Sequence, residues 1–144
     1  MIYIDTSCLL KLFRSEPRGQ DVRTAVASEE QVVVSELVEL ETFVQLKAAW
    51  TGGTITRPQW RRPEAEVARL RNLTPFAFRV LSSAIFRTAL RQHRPAGEIH
   101  CRTLDRLHLA AMQELNITRL MTHDESQARA AESAGFTVIR PGRR

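Results

Sequence analysis

Lysine is almost missing from this chain. Only Lys11 and Lys47 occur, so arginine supplies nearly all of the 21 basic residues and the formal charge is +5. Cysteine is as scarce: Cys8 and Cys101 show neither a disulfide pattern nor metal-ligand spacing, which argues against a disulfide scaffold and fits a reducing cytosol. No stretch approaches the roughly 20 apolar residues of a membrane span. Asp5 and Lys11 interrupt the first apolar run, which argues against a signal peptide. The expectation is a soluble, cytoplasmic protein with no membrane association. A glycine-rich phosphate loop is also lacking, and Gly52-Gly53 reads as a helix stop. His93, His100, His108 and His123 form no metal-binding cluster in sequence. His108 reads as a hydrogen-bonded packing residue, and His123 as a loop neighbour of Asp124.

What is present is arginine, hydrophobic alternation and a few well-placed acids. Arginine suits phosphate and RNA contacts because its planar fork binds bidentately and stacks, although a GC-rich genome would give the same bias. A chain of 144 residues fits one domain over 1–144, able to bury roughly two thirds of its unfolded surface. Ile2-Tyr3-Ile4 reads as a buried strand. Asp5 ends it, and Thr6 and Ser7 offer caps to a helix carrying Leu9, Leu10, Leu12 and Phe13. At the end of such a strand Asp5 is either a cap or a functional acid, since open α/β sheets bind ligands there.

Ser15-Glu16-Pro17 predicts a second helix to about Ala27, and Gln31–Val34 a second strand. Ser35 caps a helix running towards Trp50 that carries Glu36, Glu39 and Glu41; periodicity leaves open which of the three points inward. Pro58 and Pro63 break the 57–73 stretch into short helical pieces, with Trp60, Val67 and Leu70 as packing contacts and a solvated arginine face. A strand over Phe78–Leu81 leads to a helix capped by Ser82 and covering Ile85, Phe86, Ala89 and Leu90. Pro95-Ala96-Gly97 is a loop. The run from Cys101 to Met112 reads as a buried helix with Asp105 on its packed side, a costly place unless the charge is paired or bound to metal. Arg119–Thr122 and Phe136–Ile139 are strands around a helix through Ala128 and Ala131 that Gly135 closes.

Strands alternate with helices throughout. The prediction is an α/β fold: a mainly parallel central sheet flanked by helices in three layers, with Asp5 and Asp124 at the same sheet edge. Of only four aspartates, Asp5, Asp105 and Asp124 stand at element junctions, and Asp21 does not. Carboxylates that converge in one cleft must share protons or hold a cation, and all-oxygen ligands favour Mg²⁺ or Mn²⁺. Such a site activates water against a phosphodiester. An aspartyl-phosphate phosphatase would want a second acid where Ser7 stands.

Three segments, Ile4-Asp5-Thr6-Ser7, Thr103-Leu104-Asp105-Arg106-Leu107-His108-Leu109-Ala110 and Thr122-His123-Asp124, together resemble the PIN-domain ribonucleases, and more closely the VapC-type toxins of bacterial toxin–antitoxin pairs. The resemblance covers nearly the whole chain. It implies that Glu41, rather than Glu36 or Glu39, joins Asp5, Asp105 and Asp124 in an acidic quartet, with Asp5 and Asp105 as direct metal ligands. It further implies Thr6 and Thr122 in supporting positions. Mg²⁺- or Mn²⁺-dependent cleavage of RNA, homodimers and a cognate VapB-type antitoxin follow as expectations. A PIN nuclease of RNA processing and a non-catalytic PIN-like binding module are the alternatives.

Overall fold

The computed structural model describes residues 1–13, 17–94 and 99–143. Its centre is β1 (Ile2–Ile4), whose three side chains are fully buried. It lies parallel to β2 (Val32–Ser35) on one side and β4 (Arg119–Met121) on the other. The outer positions belong to β3 (Phe76–Arg79), beside β2, and β5 (Thr137–Ile139), beside β4. The described sheet therefore has the order β3-β2-β1-β4-β5, parallel throughout. Strands covered on both faces need continuous apolar runs rather than alternation, and Ile2-Tyr3-Ile4, Val32-Val33-Val34 and Leu120-Met121 supply them.

Helices cover the sheet in a three-layer α/β arrangement. The first connection contains α1 (Thr6–Leu12) and α2 (Pro17–Ala27). Next come α3 (Glu36–Thr51) and α4 (Arg57–Leu70), then α5 (Ala84–His93) and α6 (Thr103–Glu114). Between the last two strands runs α7 (Glu125–Ser133), and Gly135 at φ +86° turns the chain out of it. Gly53, at φ +76°, does the same after α3. The burial of α6 follows its sequence: Leu109, Ala110, Ala111 and Met112 are all inaccessible to solvent. No described helix is long and apolar enough to cross a membrane.

Several local expectations need correction. Asp5 itself, not Thr6 or Ser7, is the N-cap of α1. The 57–73 stretch is not broken: α4 runs unbroken through Pro63. A capping box fixes its start, with Thr56 N–H donating to Gln59 Oε1 at 2.8 Å and Thr56 Oγ1 accepting from Gln59 N–H. Pro58 sits harmlessly in the first turn, and Pro63 and Val67 are buried. Trp60 stacks on Trp50 of α3 with centroids 4.1 Å apart. This packing outweighs a penalty of about 3 kcal/mol for an interior proline.

The third strand begins two residues earlier than expected, at Phe76, because Val32 N–H bonds to Pro75 O and sets the register there. Ser82 is not the N-cap of α5; Ser83 is, without a side-chain bond. The 57–73 arginines are largely paired with acids: Arg61 with Glu64, Arg62 with Glu66 and Arg71 with Glu39. The expected cap at Ser15 and the loop at Pro95-Ala96-Gly97 lie outside the described residues.

Candidate active site

Asp5 leaves β1 at its C-terminal end, and its backbone N–H bonds to Met121 O of the neighbouring β4. Its side chain turns back over the start of α1. Oδ1 accepts from Cys8 N–H at 3.0 Å and from Ser7 Oγ at 2.8 Å, while Oδ2 accepts the hydroxyl of Thr122. The residue is 4% exposed. Burial pushes its pKa up, against the pull of the bonds from Thr122, Cys8 and Ser7. The N-cap of α1 is thus also a buried acid.

Thr122 joins the two strand ends. Its hydroxyl donates to Asp5 and accepts from Asp124 N–H at 2.9 Å, and His123 N–H closes the same loop onto Ser7 Oγ at 2.8 Å. Asp124 caps α7 through Oδ1, which accepts from Ser126 and Gln127 N–H at 2.8 and 3.0 Å. Its Oδ2 accepts from Arg102 Nη2 at 2.7 Å. Partial burial works against the charge on Asp124. The Gln127 N–H and the Arg102 guanidinium more than offset it, so its pKa lies below the usual carboxylate range.

Asp105 stands in the first turn of α6 and is 6% exposed. The partner of this buried charge is Arg102, whose Nε and Nη2 lie 2.7 and 3.2 Å from the two carboxylate oxygens. The same guanidinium therefore bridges Asp105 and Asp124.

The three glutamates of α3 separate cleanly. Glu36 accepts from Leu81 N–H at 3.1 Å, and Glu39 pairs with Arg71, whose guanidinium lies over Phe78. Glu41 alone turns towards α1 and α6. Its Oε2 accepts from Thr6 Oγ1 and from His108 Nε2, the latter at 3.0 Å. The His108 bond holds the Glu41 carboxyl below its ordinary range, over the opposing cost of partial burial, and Thr6 adds to it.

Thr6 donates to Glu41 and Thr122 to Asp5. Asp5, Asp124 and Asp105 are linked in series through Thr122 and Arg102. Glu41 joins from the other flank through Thr6, the residue following Asp5. Among the described residues, no three His, Cys, Asp or Glu side chains form a ready-made metal cage, and Arg102 holds the place between Asp105 and Asp124. Sequence reasoning missed Arg102 and Ser7. Arg102 stands three residues before Asp105 at a helix start, a spacing at which side chains meet, and that was its only signal. Ser7, two residues after Asp5, was read as a cap and stood in the Ile4-Asp5-Thr6-Ser7 segment without a role of its own.

The network lies beside β1 and β4, outside the carboxyl ends of parallel strands, where α/β folds keep their ligand sites. The model of the PIN domain family matches residues 2–133. The chain belongs to the PIN domain family. Ribonuclease VapC46 of Mycobacterium tuberculosis strain H37Rv is 31% identical over 97% of this chain and 97% of its own length. Among solved structures, VapC20 of Mycobacterium tuberculosis, described as a Sarcin-Ricin loop cleaving toxin, superposes with a TM-score of 0.73. It is 21% identical and covers 98% of this PIN domain chain and 100% of its own. A toxin-antitoxin complex from Klebsiella pneumoniae gives a TM-score of 0.65 at 18% identity, over 98% of both chains. At these identities the two structures speak for the PIN fold alone.

Proposed function

We propose that this chain is a metal-dependent endoribonuclease, the toxin of a VapBC-type toxin–antitoxin pair, acting through Asp5, Glu41, Asp105 and Asp124. The observation that carries the reading is the continuous linkage of three aspartates from distant parts of the chain at adjoining strand ends. Family membership and a full-length relative named as a ribonuclease VapC support the activity. Solved toxin-antitoxin complexes of the same fold support an antitoxin as partner.

The donor chemistry fits Mg²⁺ or Mn²⁺: the acids offer oxygen donors only, the hydroxyls of Ser7 and Thr122 bond Asp5, and a cationic guanidinium stands where Asp105 and Asp124 need positive charge. Asp5, Asp105 and Asp124 would hold the ion, with Glu41 beside them. When bound, the ion supplies Lewis acidity and a lowered pKa for water at a phosphodiester. Thr122 and Ser7 orient Asp5, and Thr6 and His108 orient Glu41, so the acids keep their directions before any RNA arrives.

Purified protein incubated with total RNA should cleave it with Mg²⁺ or Mn²⁺, and stop when EDTA is added or when Asp105→Asn is introduced. Cleavage that survives both would refute the reading. Expression should arrest growth, and co-expression of a cognate antitoxin should restore it. A chain that cuts RNA yet leaves growth untouched would be a processing nuclease instead.

A further inference from the structure

Behind Glu41 stands a buried histidine that the cleavage chemistry does not itself require. His108 lies one turn beyond Asp105 on α6 and is 2% exposed. Both ring nitrogens are engaged: Nε2 lies 3.0 Å from Glu41 Oε2, and Nδ1 lies 2.9 Å from the hydroxyl of Tyr3. Tyr3, the only tyrosine of the chain, is fully buried in β1, and its hydroxyl lies 2.6 Å from Ser35 Oγ at the end of β2. Four polar side chains from β1, β2, α3 and α6 thus form one unbroken file through the core.

A histidine on a buried helix is ordinarily a packing residue, and a phenylalanine would fill this space as well. The direction of the hydrogen bonds sets His108 apart. An ionised carboxylate only accepts, so the ring proton belongs on Nε2. Nδ1 then accepts from the Tyr3 hydroxyl, and Tyr3 accepts in turn from Ser35. Ser35 Oγ completes the file by accepting Val38 N–H, the capping bond of α3. Each donor meets one acceptor, and no member is left over. Burial holds the Tyr3 phenol in its protonated form, so it remains a donor.

Glu41 is held on one oxygen. Thr6 and His108 both donate to Oε2, whereas among the described residues Oε1 has only Gln45 Nε2 at 3.4 Å. We propose that His108, with its tautomer fixed by Tyr3, is a positioning residue that pins Glu41 through Oε2 and presents Oε1 to the cleavage site. This rests on Glu41 being a site acid. Neither the charge nor the reach of Glu41 is then left to the free rotation of an exposed glutamate.

The test compares His108→Phe, His108→Gln, Tyr3→Phe and Glu41→Gln, and the double variant Glu41→Gln with His108→Phe, each in steady-state RNA cleavage with melting curves. Phenylalanine keeps the edge-on packing against Tyr3, whose ring centroid lies 5.8 Å from that of His108, and removes both nitrogens. The expected result is a fall in kcat of about ten- to a hundredfold for His108→Phe with KM unchanged. Glutamine, whose amide stands near the Nε2 position, should recover most of that loss, and Tyr3→Phe should fall between.

In the double variant His108→Phe should cost nothing further, because its partner is already altered. Full activity of His108→Phe, or a loss that adds undiminished to that of Glu41→Gln, would overturn the proposal. Should His108→Phe fail to fold, nitrogen-15 spectra of the unaltered protein decide: a ring protonated on Nε2 supports the arrangement and one protonated on Nδ1 ends it. Full activity of Glu41→Gln would remove Glu41 from the site and take the proposal with it. A loss confined to Glu41→Gln would leave the nuclease reading standing without the histidine.

Discussion

The guanidinium of Arg102, just before α6, lies 2.7 Å from the carboxylate of Asp124, which caps α7. It grips Asp105 at the same time, so one flexible cation neutralises two acids that converge from different helices. Because the Arg102 side chain is 57% exposed, the pairing contributes modestly, on the order of 1 kcal/mol or less. Arg102→Gln should lower the melting temperature in EDTA, and the difference from the unaltered protein should shrink in millimolar Mg²⁺. Equal melting in both buffers would show that the bridge is not a counter-charge.

Asp5 gives a pH signature. Its pKa is raised in the folded chain, so folding makes the carboxyl hold its proton more tightly. The resulting penalty is absent below the ordinary Asp value of about 4 and grows as pH rises from there through the raised one. Asp5→Asn keeps a good N-cap and removes the penalty. Without metal, the variant should melt higher than the parent at pH 7, with the gap closing as pH falls. Its RNA cleavage should drop more than about a hundredfold.

Thr122→Ala removes the hydroxyl between Asp5 and Asp124 but neither acid. Cleavage should weaken about ten- to a hundredfold, and Thr122→Ser should restore most of it. Binding of Mn²⁺ followed by calorimetry should weaken in parallel for the alanine variant.

Phe86 and Leu90 lie one turn apart on α5, 59% and 60% exposed, and form an apolar face. If this face pairs two copies, the protein should sediment as a dimer, and replacing both residues with glutamate should convert it to a monomer without lowering the melting temperature. An unaltered dimer would place the contact elsewhere.

Much of the site was legible because its acids sit where local rules put them. A short apolar strand, an aspartate and a helix follow one another at both Asp5 and Asp124, and parallel strands place both at one edge. Asp105 was conspicuous as a charge on an otherwise packed helix face. Glu41 was different: periodicity gave it no advantage over Glu36 or Glu39, since what sorts them is contact with Leu81, Arg71 and His108, each distant in sequence. Tyr3 and His108 are 105 positions apart, and no local pattern announces their bond. The unbroken α4 was missed for the converse reason: Pro63 obeys a strong local rule, and burial beside Val67 overrides it.

The bond between Thr122 and Asp5 spans 117 positions and forms only after β4 has docked against β1. During synthesis, then, the chain must leave the ribosome at least through β4 before these two side chains can meet. A nascent chain that has not yet reached β4 therefore lacks the link that the proposed site depends on.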